Sequence, residues 1–430
     1  MPFRFFFIVV FFGLTLCHAQ NTLQGVNRPR LEQRILELAK FGLQNNGETE
    51  RVAFSDADVE AQKWVINTMT NLGLAVYVDF AGNIIGSRTG TDASKKPISF
   101  GSHIDRVPNG GNYDGCVGAM AALEIVEVLN ENSIATAHPL EVIIFSNEEG
   151  GVMGSRAMAG HLGSNALKVA NSTGFTMGEG IMRLGGDTTR IAEVARKKGS
   201  MAAFLELHIE QGGILEKEHL DIGIVEGIVG LKWWDVEFTG FSNHAGTTPM
   251  NARQDALLAA AKFIVAVNEI TNSFKGGQVG TVGRITAAPG APNVIPGKVT
   301  ASLEIRDLSS EKIEEVYQAI KTRAEEIAKT SNVQITFRPL DTTADPALTD
   351  TMIQRAIANS AKILGLSTKK MPSGAGHDAQ DMALIAPTGM IFVPSKGGIS
   401  HSPKEFTSAE DMANGANVLL QTILALDKKL

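Results

Sequence analysis

The chain has 430 residues, 43% of them hydrophobic, and a formal net charge of −7 at neutral pH. That length leads to an expectation of two domains, and the apolar content excludes a disordered chain. A net negative charge without blocks of like sign leaves no electrostatic footprint for nucleic acid.

In chain order, the first feature is an apolar run at residues 5–16 behind Arg4, followed by Cys17-His18-Ala19. This is the layout of a secretory signal peptide cut after Ala19, so residues 1–19 are set aside from the fold. The run is shorter than the roughly 20 residues a membrane span needs, so no membrane span is expected after cleavage. The expected location is exported, periplasmic or secreted. Cleavage would leave Cys116 as the one cysteine, which excludes an intramolecular disulfide.

Helical spacing follows at 31–44 and 56–72, then β-like runs at 75–79, 83–87 and 97–102. A helix is predicted from 116 to 130, a strand over Leu140 to Phe145, and another at 201–207. The predicted fold class is α/β, with a mixed sheet flanked by helices. After residue 223 the pattern changes: 231–240 alternates, 253–270 and 309–329 read as helices, and 279–287, 298–306 and 333–338 as strands. This β-α-β-β-α-β order predicts a smaller α+β sandwich at 224–339, inserted into a discontinuous larger domain of residues 20–223 and 340–430.

Three predicted strand ends each present a metal-ligand type. His103 closes Gly101-Ser102-His103, Glu148-Glu149 follow Phe145, and His208 follows the strand at 201–207. Ligands in open α/β sheets gather at that edge. Asp114 in Asn112-Tyr113-Asp114-Gly115 and His401 in Ser400-His401-Ser402-Pro403 complete a candidate set of five. Imidazole and carboxylate donors without thiolates suit zinc, manganese or cobalt. If Asp114 bridges, His103 and His208 complete one site, and Glu149 and His401 the other. Two cations about 3.5–4 Å apart acidify a shared water and clamp a developing oxyanion. Glu148 is the candidate general base, its neighbourhood to Glu149 requiring a turn that Gly150-Gly151 permits. Asp105 is read as a carboxylate that orients the His103 imidazole. His377, in Gly374-Ala375-Gly376-His377-Asp378, is read as shaping a helix start near the metals.

From about residue 30 to its end the chain resembles the M20-type metallo-amidohydrolases, in particular the branch of N-carbamoyl-L-amino-acid hydrolase, allantoate amidohydrolase and β-ureidopropionase. The segments that carry the resemblance are GSHIDRVPNGGNYDG, LELHIEQGGILE, NHAGTTPMNARQDA, APNVIPG, GAGHDA and GISHSP. In other M20 peptidases a carboxylate commonly stands at the position of His208; the HIEQG stretch is similar to the ureido-hydrolysing branch. The resemblance implies that His244 polarises the scissile carbonyl, Arg306 grips the substrate carboxylate, Asn293 adds hydrogen bonds and Gln211 reads the carbamoyl end. It implies two divalent cations per subunit, a small amino-acid-derived substrate, and a homodimer in which the insert lends His244 to the partner. The expected activity is hydrolysis of a linear amide C–N bond in N-carbamoyl-L-amino acids or related ureido compounds. The nearest rival is an aminoacylase or dipeptidase of the same family; a non-catalytic periplasmic binding protein is the remote one.

Overall fold

The computed structural model describes residues 25–44, 49–340 and 344–430. The leader expected at residues 1–19 lies outside the described residues. Among the described residues no helix is long and apolar enough to cross a membrane.

Six strands come first: β1 (Ala75–Val78), β2 (Ile84–Arg88), β3 (Ile98–His103), β4 (Leu140–Phe145), β5 (Ala203–Ile209) and β6 (Ile222–Ile228). Next are β7 (Gly230–Thr239), β8 (Asn243–His244), β9 (Val279–Thr281), β10 (Ile285–Ala288), β11 (Val294–Ile295), β12 (Lys298–Asp307) and β13 (Gln334–Pro339). The chain finishes with β14 (Ala347–Leu348), β15 (Thr368–Ser373) and β16 (Thr388–Val393). Nine of them form a mixed sheet in the order β1-β2-β4-β3-β5-β16-β6-β14, with β15 also pairing β6. Its centre, β4-β3-β5-β16, is wholly parallel. The four strands therefore end at one edge, where open α/β sheets hold their ligands.

Both faces of this sheet are covered. The helix Cys116–Glu131 buries 13 of its 16 residues against one face, together with the helices Arg28–Ala39, Thr351–Ile363 and Ala409–Lys429. Such an all-round apolar helix is the signature of a core position. A second cluster that includes Phe145, Phe204, Met371 and Phe392 packs the other face. The remaining large sheet is separate, ordered β10-β12-β7-β13 with β9 also on β12. The helices Ala256–Ser273 and Ser310–Ser331 pack on it through Phe263, Val316 and Ile320.

Four details differ from the periodicity. The first helix begins at Arg28 rather than 31, because Asn27 accepts a hydrogen bond from Arg30 N–H and Pro29 suits a first turn. It ends at Ala39, short of 44. The run 279–287 divides into β9 and β10, which pair with Glu304–Arg306 and Lys298–Ala301 of β12. Finally, β6 runs across residue 224 and belongs to the nine-stranded sheet, so the passage between sheets falls at Val229.

Candidate metal centre

His103 stands at the last position of β3, and β5 carries Glu206 and His208 two residues apart on one face. The turn after β4 is tied by Gly151 and Val152 N–H groups, both donating to the Glu148 carbonyl at 2.9 and 2.7 Å. This turn delivers Glu148 and Glu149 to the same edge. The loop after β16 brings His401, held in the left-handed region at φ 54°. Asp114 lies just before the helix that starts at Cys116.

The structure gathers these side chains around Asp114. Asp114 Oδ1 lies 3.1 Å from His208 Nε2 and 3.7 Å from His103 Nε2, while Oδ2 lies 3.2 Å from His401 Nε2. His401 Nε2 is in turn 3.5 Å from Glu149. Two triads result, His103-Asp114-His208 and Asp114-Glu149-His401, sharing one carboxylate. Glu148 Oε2 is 3.6 Å from His103 Nε2, beside the first triad.

Backbone carbonyls fix both buried imidazoles. His103 Nδ1 meets the Asp105 carbonyl at 3.1 Å and His208 Nδ1 the Ile209 carbonyl at 2.9 Å, so each ring turns its Nε2 toward Asp114. The Asp105 carboxylate stands farther from the ring, at 3.6 Å, and accepts the Glu148 and Glu149 N–H groups at 3.2 Å. It therefore shapes the Glu148-Glu149 turn as well as facing the imidazole. Gly115 is required here: at φ 61° a Cβ would stand 2.3 Å from His103 Nε2.

The donor set fits divalent cations. His103 Nε2 is buried with no hydrogen-bond partner among the described residues. As protein alone, burial pushes Glu148 well above the usual carboxylate range, aided by Glu149 and Asp378 and opposed by His103. Burial, with the Asp114 charge, raises Glu149 to about 7. Against its own burial, Asp114 is held well below its ordinary value by hydrogen bonds to His208 and His401. His401 is raised to about 9 by its hydrogen bond to Asp114. Negative charge is thus concentrated where protons alone balance it, and cations would take over that role.

Of the other residues singled out in the sequence, Gln211 joins the cluster, its amide donating to Asp114 Oδ2 at 2.7 Å. Arg306 lines the same cavity of about 330 Å³. His377 is buried edge-on against His208, with ring centroids 4.4 Å apart, and its Nε2 meets Ser373 Oγ at 2.8 Å. His244 and Asn293 are not brought to the cavity. Both are exposed on the ribbon that pairs β8 with β11, where Ala245 N–H donates to the Asn293 carbonyl at 2.9 Å.

Sequence reasoning missed Glu405. Its carboxylate accepts Tyr113 N–H, Asp114 N–H and the Ser400 hydroxyl at 2.9, 3.0 and 2.8 Å, and His401 N–H at 3.3 Å, joining the two ligand loops. It also missed Glu206 and Asp378, both buried beneath the cluster. Glu206 was legible as the residue two before His208 on one strand; Glu405 had no local signal.

Fold and cluster together define a hydrolase of the M20 type: the model for peptidase family M20/M25/M40 matches residues 99–425, and the chain belongs to that family. It is similar to the N-carbamoyl-L-amino acid amidohydrolase of Geobacillus stearothermophilus, 43% identical over 92% of this chain and 98% of that protein. The ureidoglycolate hydrolase of Arabidopsis thaliana is 39% identical over 94% of this chain and 87% of its own length. Among solved structures, an amidase of the hydantoinase/carbamoylase family from Burkholderia multivorans superposes with a TM-score of 0.87 at 34% identity, covering 94% and 98% of the two chains. The chain is accordingly a metal-dependent hydrolase acting on C–N bonds.

Proposed function

We propose that this enzyme hydrolyses the linear amide C–N bond of N-carbamoyl-L-amino acids or closely related ureido acids, using two divalent cations per subunit. The observation that carries the reading is Asp114, whose two oxygens face separate His-containing triads with Glu148 alongside. The named activities of the similar proteins support the ureido substrate.

His103, Asp114 and His208 would hold one cation, and Asp114, Glu149 and His401 the other. When bound, the pair supplies Lewis acidity, polarising a carbonyl and lowering the pKa of water. Glu148, fixed by its N–H bond to Asp105, takes the proton of the attacking water and returns it to the leaving nitrogen. Gln211, anchored on Asp114, is placed to read the carbamoyl end. Arg306 binds the carboxylate.

His244 Nδ1 accepts the Gly246 and Thr247 N–H groups at 3.0 and 3.2 Å, which leaves Nε2–H as a donor for an oxyanion. Exposed and outside its own cavity, His244 serves the partner subunit's site in a homodimer, with Asn293 beside it. The exposed apolar side chains Phe241, Met250, Leu258 and Val265 on the same unit support that association.

The test is ammonia release from N-carbamoyl-L-amino acids and allantoate by metal-stripped enzyme, with zinc, manganese or cobalt added back. Metal-dependent release supports the reading. Hydrolysis of N-acetyl amino acids or dipeptides in its place moves the enzyme to the aminoacylase or dipeptidase side.

A further inference from the structure

Two arginines line the cavity beside the cluster, and they are in different states. Arg306 is already held: Nε and Nη2 donate to Glu304 at 2.8 and 3.1 Å, and Nη1 to the Gly374 carbonyl at 2.7 Å. A guanidinium has five N–H donors, so two remain, one on each terminal nitrogen, enough for one carboxylate. Arg156 makes no side-chain hydrogen bond or ion pair with any described residue, although it is half-buried. Its helix, Met153–Met158, is tied to the base: Arg156 N–H donates to the Val152 carbonyl at 2.9 Å, and Val152 N–H to the Glu148 carbonyl at 2.7 Å.

Arg156 also lines a second cavity of about 450 Å³, which shares Ala344 and Gln380 with the first. His161 and Asp381 also line it. Asp381, raised to about 6 by burial, feels the Arg156 charge but forms no ion pair with it. The free guanidinium thus lines both the cavity beside the cluster and this side cavity.

We infer that Arg156 determines specificity by binding a second acidic group, so that the preferred substrates are ureido acids with two carboxylates, one on Arg306 and one on Arg156. This inference rests on the hydrolase reading above. No bond is made or broken at Arg156; it supplies a charge-assisted, forked contact.

The experiment crosses two choices of acyl group with two side chains: the N-carbamoyl and N-acetyl derivatives of L-aspartate and L-alanine, on the metal-loaded enzyme. The acyl comparison tests the ureido reading; the side-chain comparison tests Arg156. Within whichever series turns over, aspartate is expected to exceed alanine in kcat/KM, mainly through KM. Arg156→Met should reduce that ratio about 10- to 100-fold. Arg156→Lys, which keeps the charge without the fork, should restore part of it and covers the case in which the methionine variant fails to fold. Ligand-induced melting shifts give the same comparison without turnover: the aspartate derivative should stabilise the wild type more than the alanine one, and Arg156→Met should erase the difference. Equal losses on both side chains, or an unchanged ratio with a lowered melting temperature, overturn the inference and leave Arg156 as a general anchor or a counter-charge to Asp381.

Discussion

Around Asp114 four of the five candidate donors are buried or half-buried, His401 alone being exposed, and the two buried imidazoles are fixed by backbone carbonyls, whereas both His244 and Asn293 stand exposed on a ribbon of two-residue strands. The first region is assembled within one chain from segments almost 300 residues apart in sequence. The second offers an imidazole whose tautomer is set but whose target is not in its own cavity. The contrast separates candidate metal donors, brought together by one chain, from a proposed oxyanion donor that on the reading above would depend on assembly.

Breaking the first region should have the largest effect. Asp114→Asn removes the carboxylate both triads share, and roughly 1000-fold or greater loss of activity is expected, with metal content falling in elemental analysis. Glu148→Gln should instead keep both metals while lowering kcat about 100- to 10,000-fold; full turnover in that variant would exclude Glu148 as the base.

The comparison is sharpest in mixed dimers. His244→Ala alone should cost about 100- to 1000-fold in kcat with metals retained. Mixed and re-associated with Asp114→Asn subunits, it should regain about a quarter of wild-type activity, since half the dimers then hold one complete site. If the mixture stays inactive, His244 works within its own subunit.

A smaller effect is expected at Glu405, which touches no candidate cation position yet holds both ligand loops. Glu405→Gln should weaken metal affinity about 10- to 100-fold, read by competition with a chelator. The smallest test asks how far buried charge extends from the cluster. Burial, with the Asp105 charge adding, raises Asp58 to about 7. The folded state therefore keeps a proton that the unfolded state has lost above pH 3.8, so its stabilising contribution declines as pH rises toward 7. Asp58→Asn, which keeps an acceptor for the Phe54 N–H, should flatten the melting temperature across that window.

Much of this was legible because candidate site residues at strand ends leave a mark: His103, Glu148-Glu149 and His208 each follow an apolar run and lie within two residues of a glycine or a carboxylate. The β-α-β-β-α-β order of the smaller unit was legible for the same reason, as alternation between two periods. Glu405 was not, because its partners are three backbone N–H groups and a hydroxyl, none visible as a pattern. Nor was the division of β9 from β10, which is set by two separate pairings on β12. The state of the two arginines was beyond reach as well: whether a guanidinium is occupied depends on Glu304 and Gly374 in three dimensions, not on its neighbours in the chain.

Glu405 and His401 also give the site a history. The donors of the first triad have all been synthesised once residue 208 has emerged, but the second triad waits for His401, and the clamp on Asp114 waits for Glu405. A growing chain therefore carries the residues of the first triad long before those of the second, while β16, which pairs with β5, also comes late. On the two-cation reading proposed above, a chain truncated before residue 401 would lack a donor of the second position.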